Sequence, residues 1–264
     1  MEKFLAKRIV EGKLRYVDVP QTLRAGVLAE LEAQGKGYLA GVDTEVSGTG
    51  AELWEDIQQS GLRKDYSYAF ANWNLGSINP KYTDIIADSV IFMFVNSASL
   101  TRCDNLNITV KKSNASIQGI CQNCPELLIG PHFKFTSSND TGVVAVRNMI
   151  SAYAGCEKLT TAYVYWGNGK QDVVKDRTNC QNMFLKCSEL TSITFEGSGS
   201  PSGLDLSKSS KITKATLQSL AKSLQNAKGK TGTFKIKVSA DTYNLLTAAE
   251  ITALFTNKGW TLSK

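Results

Sequence analysis

Histidine is nearly missing from this chain, with His132 the only one among 264 residues. A Cys-His metal centre or a Ser-His-Asp system therefore has a single imidazole to draw on. That imidazole sits in Gly130-Pro-His-Phe-Lys-Phe135, which reads as strand or loop rather than as a catalytic setting. Long apolar runs are missing too. The longest, such as Val90 to Val95, are far short of the ~18 residues that cross a bilayer, so no membrane insertion is expected. The opening Met-Glu-Lys-Phe-Leu-Ala-Lys-Arg carries no apolar core and no small-residue cleavage site, so Sec export is not expected. The chain is therefore expected to be made in a cytoplasm and to stay there, or to leave as part of an assembled particle. Gly-x-Ser-x-Gly, HExxH and GxGxxG do not occur. Gly229-Lys230-Thr231 ends like a phosphate-binding loop, but Leu224 stands where its first glycine belongs. Glu52 and Glu55 are close in sequence, and spacing alone does not make them a glycosidase pair. No catalytic residue, cofactor or metal is expected.

Charge is one-sided at one end. Residues 200–264 hold ten lysines and no arginine against Asp205, Asp241 and Glu250. Arginine is the usual residue for bidentate phosphate contacts, and no aromatics interleave with these lysines. They read as a solvated surface, and no nucleic-acid partner is expected. Cysteine is present six times, at 103, 121, 124, 156, 180 and 187. Cys121-Gln-Asn-Cys124 is half of a zinc motif with no second close pair.

A recurring segment accounts for these cysteines better. Met93-Phe-Val-Asn-Ser-Ala-Ser-Leu100, Ile120-Cys-Gln-Asn-Cys-Pro-Glu-Leu127, Ala152-Tyr-Ala-Gly-Cys-Glu-Lys-Leu159 and Met183-Phe-Leu-Lys-Cys-Ser-Glu-Leu190 share one form. Ala69-Phe-Ala-Asn72 is a weaker copy. The fifth position falls at Ser97, Cys124, Cys156 and Cys187, with spacings of 27, 32 and 31 residues. Only small residues stand there, as at a tight inner corner. Strand-like stretches follow each leucine, most clearly Leu159 to Trp166 and Leu190 to Phe195. A period of this size implies stacked units that bury one another.

Four regions are expected. Residues 1–35 form two helices, Glu2 to Glu11 and Thr22 to Gln34, as an attachment segment through Phe4, Leu5, Ile9, Leu23, Val27 and Leu31. Residues 36–52 are a glycine-rich linker, 53–206 the repeat region, and 207–264 a C-terminal α/β cap. In the cap, Thr213 N-caps a helix, Thr233 to Ser239 alternates as a strand, and Ala248 to Asn257 forms a second helix. Leu217, Leu220, Leu224, Leu254, Phe255 and Trp260 should pack onto the last copy. Tyr163, Tyr165 and Trp166 form either a binding face for sugar or protein, or part of the core.

Met183-Phe-Leu-Lys-Cys-Ser-Glu-Leu-Thr-Ser-Ile193 resembles the BspA-like leucine-rich repeats, and the likeness spans roughly residues 66–206. It implies an α+β fold built on a short leucine-rich-repeat-like β-solenoid, flanked by the N-terminal helical pair and the C-terminal cap. Leu206 to Leu220 and Thr252 to Leu262 are similar to bacteriophage and prophage tail-region proteins, and Phe4 to Leu14 resembles the start of small phage structural proteins. That likeness implies a non-enzymatic virion protein of the tail, baseplate or fibre region. Its expected partners are other virion proteins, further copies of itself, and a host surface protein or glycan. The alternatives are a bacterial cell-surface adhesin with the same repeats and, further off, a fibre-borne polysaccharide hydrolase.

Overall fold

A computed structural model describes residues 1–11, 14, 16, 19–34, 36, 66–68, 70–72, 84–104, 106–111, 114–135 and 145–264. The expected linker, apart from Lys36, and the Glu52/Glu55 pair lie outside the described residues. The chain divides into two compact units, Met1–Leu53 and Trp54–Lys264.

The first unit is built on α1 (Glu2–Val10) and α2 (Gln21–Ala33), each within a residue or so of its sequence-based bounds. Ala6 and Ile9 of α1 close against Val27 and Leu31 of α2, with Val19 between them. Tyr16 Oη donates to the Arg24 carbonyl at 2.8 Å, and Arg24 Nε donates to the Val19 carbonyl at 3.0 Å, which fixes the turn. Neither helix has a side-chain N-cap, since Met1 and Pro20 stand at those positions. Helices this short are marginal alone, so the pair is held by this small apolar seam.

The second unit is α+β, with short sheets and none of them closed. The strands β1 (Asp84–Ala87), β2 (Asn107–Val110) and β4 (His132–Phe135) form one parallel sheet in the order β1-β2-β4. A six-stranded sheet holds β3 (Asn114–Ser116), β5 (Ala145–Asn148), β6 (Thr161–Asn168), β7 (Thr178–Asn179), β8 (Ser192–Ser198) and β9 (Pro201–Ser202). Its order is β8-β6-β5-β7-β9, with β3 beside β5. The third sheet pairs β10 (Asp205–Leu206), β11 (Lys235–Val238) and β12 (Thr261–Ser263), all parallel. The remaining helices are α3 (Lys214–Ser223), α4 (Ala240–Tyr243) and α5 (Ala248–Leu254). The expected β-solenoid is corrected by this topology. The strands divide among three separate sheets, and β5 meets β6 antiparallel where Ala145 faces Gly167.

The recurring segments themselves are real and are turns. Each holds two residues with left-handed backbone four apart, at 68/72, 92/96, 119/123, 151/155 and 182/186. For a residue with a Cβ that conformation costs roughly 1–2 kcal/mol. Bonds to the next turn offset it. Phe92, Phe94 and Asn96 donate their N–H groups to the carbonyls of Gln118, Ile120 and Gln122, and Ser151, Tyr153 and Gly155 donate to Gln181, Met183 and Leu185. At Gly119 a Cβ would lie 2.2 Å from the Phe92 ring, so only glycine fits.

The fifth position lies at the inner corner, as its small residues require. Ser97 Oγ donates to the Phe70 carbonyl (2.7 Å), Cys124 Sγ to Phe94 (3.0 Å), Cys156 Sγ to Cys121 (2.9 Å) and Cys187 Sγ to Tyr153 (3.1 Å). Each corner thus ties its turn to the one before. All six cysteines are buried and unpaired. Cys121 occupies the aromatic position of its copy, which explains the Cys-x-x-Cys spacing.

Helix α3 covers β8, the edge strand of the six-stranded sheet. An edge strand presents unpaired backbone groups that need a cover. Here α3 supplies hydroxyls along one face. Ile193 N–H donates to Thr216 Oγ1 and Phe195 N–H to Ser219 Oγ, both at 3.3 Å, while Trp166 Nε1 donates to Ser223 Oγ at 3.0 Å. Behind them Leu217, Leu220, Leu224, Phe255 and Trp260 are buried as expected, and Leu254 is only half-buried.

Candidate binding face

Strand alternation sorts side chains onto two faces. Along β6 the residues Ala162, Val164 and Trp166 point into the core, while Thr161, Tyr163 and Tyr165 are half-exposed on the other side. The three aromatics singled out in the sequence therefore part company. Tyr163 and Tyr165 share the outer face. Trp166 is fully buried, stacked on Phe195 with ring centroids 5.6 Å apart, and belongs to the core.

Neighbouring strands widen the outer face. Register places Thr194 of β8 beside Tyr163 and Glu196 beside Tyr165. On β4 the outward residues are His132 and Lys134, which pair in register with Asn107 and Thr109 of β2. The Gly130 N–H donates to the Thr161 carbonyl at 3.1 Å, and the His132 and Tyr163 rings stack with centroids 3.5 Å apart. At the rim Arg102 grips Asp104 through two hydrogen bonds of 2.8 and 3.0 Å. The result is a strip of rings flanked by Arg102, Asp104, Lys134, Thr194 and Glu196.

Its electrostatics follow from partial burial. Burial lowers the His132 pKa, and Lys134 adds to that, while the opposing pull of Glu196 and Asp104 is weaker. Burial thus favours the uncharged imidazole in the stack on Tyr163. Burial first, then Glu196, raises the Tyr165 phenol, so it remains a hydrogen-bond donor. The hydrogen bond from Arg102 holds Asp104 below the usual carboxylate range. Such a surface can stack on a sugar ring or a planar side chain while its charged rim bonds the substituents. No group of ligating side chains that could hold a metal occurs among the described residues.

His132, Lys134, Thr194 and Glu196 were not singled out for this face from sequence. The alternation of His132-Phe-Lys-Phe135 was the available signal, but it does not reveal that β4 lies beside β6. The attachment residues fare differently. Ile9, Val27 and Leu31 are buried in the helix pair itself, Leu5 and Leu23 are partly buried against it, and Phe4 is 64% exposed. No helix among the described residues is long and apolar enough to cross a membrane. Comparison with family models, curated proteins and solved structures gave no match.

Proposed function

We propose that this protein is a non-enzymatic component of a bacteriophage virion, in the tail, baseplate or fibre region, that recognises a host surface molecule through the His132–Tyr163–Tyr165 strip. The observation that carries the reading is the strip itself: rings half-exposed on a rigid strand surface, one of them stacked on the imidazole at 3.5 Å. Aromatic anchors with little side-chain entropy to lose are what recognition surfaces are built from. The virion setting is supported by the likeness of Leu206 to Leu220 and Thr252 to Leu262 to phage tail-region proteins, and of Phe4 to Leu14 to the start of small phage structural proteins. The Lys-rich end fits a solvated surface, because Lys211, Lys214 and Lys237 are ion-paired to Glu189, Glu250 and Asp205.

Two measurements test this. Antibody-labelled electron microscopy of purified particles should place the chain on the virion. Finding it on the bacterial envelope and on no particle would replace the reading with the adhesin alternative. Binding of the purified chain to host cells should weaken about tenfold or more on Tyr163→Ala with Tyr165→Ala, a loss of the size hot-spot rings carry. Undiminished binding would remove the strip from the proposal. Release of reducing sugar ends from host polysaccharide would bring the hydrolase alternative forward instead.

A further inference from the structure

The chemistry around Tyr163 and Tyr165 narrows what the strip can hold. Strands β4 and β6 belong to different sheets, and two ring stacks span their junction, His132 on Tyr163 and Phe135 on Tyr165, the latter with centroids 6.0 Å apart. Phe135 is buried, so the core holds the Tyr165 ring from one side. Side chains packed in this way have little freedom left to lose on binding. Each tyrosine offers apolar ring carbons and a polar hydroxyl tip, which suits a ligand that is apolar on its faces and polar at its edges.

Charge narrows the ligand further. Lys134 and Glu196 are exposed on the strands to either side of β6. Neither is ion-paired among the described residues, although Glu126 and Glu189 on the neighbouring turns are held by Lys158 and Lys211. The Arg102 charge is met by Asp104. One cation and one anion are thus left open, and Arg102, Lys134, Asp104 and Glu196 together carry no net charge. An anionic ligand would face Glu196 and Asp104, and a cationic one Lys134 and Arg102, so the face selects neither sign. Lys134 can only donate hydrogen bonds, Glu196 when ionised can only accept them, and the Thr194 and tyrosine hydroxyls do both. A saccharide hydroxyl is donor and acceptor at once and uses both kinds of partner.

We propose that the strip binds an uncharged saccharide, a pyranose ring lying on Tyr163 and Tyr165 with its hydroxyls shared between Lys134 on one side and Glu196 and Thr194 on the other. This rests on the strip being the recognition surface, and the experiment separates the two. Binding of the purified full chain is measured on untreated host cells, on cells treated with periodate, which cleaves the vicinal diols of saccharides, and on cells treated with protease. Periodate should lower binding about tenfold or more. It should do so whether or not protease does, because protease also strips glycans carried on protein. Between about 0.1 and about 1 M salt, binding to untreated cells should change less than about twofold, since an uncharged ligand leaves little to screen. Glu196→Gln alters one exposed side chain and should weaken binding about tenfold, the size of a hydrogen bond to a charged group. Binding that survives periodate, yet is lost on Tyr163→Ala with Tyr165→Ala, overturns the saccharide in favour of a protein or lipid and leaves the strip standing. A steeper fall with salt overturns the uncharged class, and Glu196→Gln binding like the wild type overturns the placing of the hydroxyls. Undiminished binding by the double tyrosine variant, or no binding to untreated cells, overturns the strip as recognition surface and this proposal with it.

Discussion

Residues 1–36 and 207–264 are both rich in helix, and they are held together in different ways. In the first, α1 and α2 start at Met1 and Pro20 with no side-chain cap, and their core is Ala6, Ile9, Val19, Val27 and Leu31. In the second, every α-helix is capped, α3 by Thr213, α4 by Ser239 and α5 by Thr247, the last as a full capping box with Glu250. Its core adds Phe234, Phe255 and Trp260, and its helix hydroxyls satisfy β8. The C-terminal segment is thus specified locally and again by its neighbours, while the helix pair rests on one apolar seam. Agreement across levels is what makes a segment fold to one structure.

The largest expected effect lies in the C-terminal core. Trp260 is 1% exposed, its Nε1 donates to the Gln225 carbonyl at 2.8 Å, and its ring meets Phe234 edge-on. Trp260→Ala should cost about 3–5 kcal/mol in denaturant unfolding. Phe4→Ala, at a residue that is 64% exposed, should change stability by less than about 0.5 kcal/mol. A Trp260 variant that unfolds like the wild type would dissolve the contrast between the two regions.

Next comes a corner cysteine. Cys187 is fully buried, and Ser209 Oγ donates to its carbonyl at 2.8 Å, so this corner links the last turn to the C-terminal segment. Cys187→Leu should overpack it and cost about 1–3 kcal/mol. Burial pushes the Cys187 and Cys180 thiols up to about 12. Both should label slowly in the native protein at neutral pH, and fast labelling would show that the corners open.

Much of this was legible in the sequence, and the limit has a physical form. The helix bounds in residues 1–36, the Thr213 cap and the corner cysteines follow from local spacing, because each depends on neighbours a few residues away. The division into three sheets does not, because pairing such as Asn148 with Asn179 is set by register between distant segments. Trp166 is an intermediate case. It is an odd number of residues from both Tyr163 and Tyr165, so period-two alternation already assigns it to the opposite face. His132 joined the site only through the placing of β4 beside β6, which nothing local records.

Caps give the smaller effects. Thr247→Ala should cost about 1 kcal/mol, because it removes the acceptor for the Glu250 N–H and half of the capping box. The Lys214 ammonium and the Thr247 N–H draw the Glu250 carboxyl down to about 2 from an ordinary 4.5. A carboxyl that ionises more readily folded than unfolded contributes stability at neutral pH. That contribution should fade as pH falls from 4.5 toward about 2. In Glu250→Gln the acid limb of the melting curve should be flatter over that window, and an unchanged limb would show that the pair is fully screened.

The smallest expected effect tests the comparison from its other side. Deleting residues 1–53 removes the whole first compact unit and leaves Trp54–Lys264. If the helix pair is held by its own seam, the remaining unit keeps all its corners, its covered edge strand and its C-terminal core. Its thermal unfolding should then match the main transition of the full chain to within about 2 °C, since a shift of 1 kcal/mol moves a domain of this size by roughly 2–4 °C. Calorimetry distinguishes the outcomes. A fall beyond that margin would show that α1 and α2 stabilise the second unit directly, and their uncapped ends would then be tolerated because that unit supports them. A matched transition, together with failure of the truncated chain to join purified particles, would assign the pair to attachment and leave recognition with the strands.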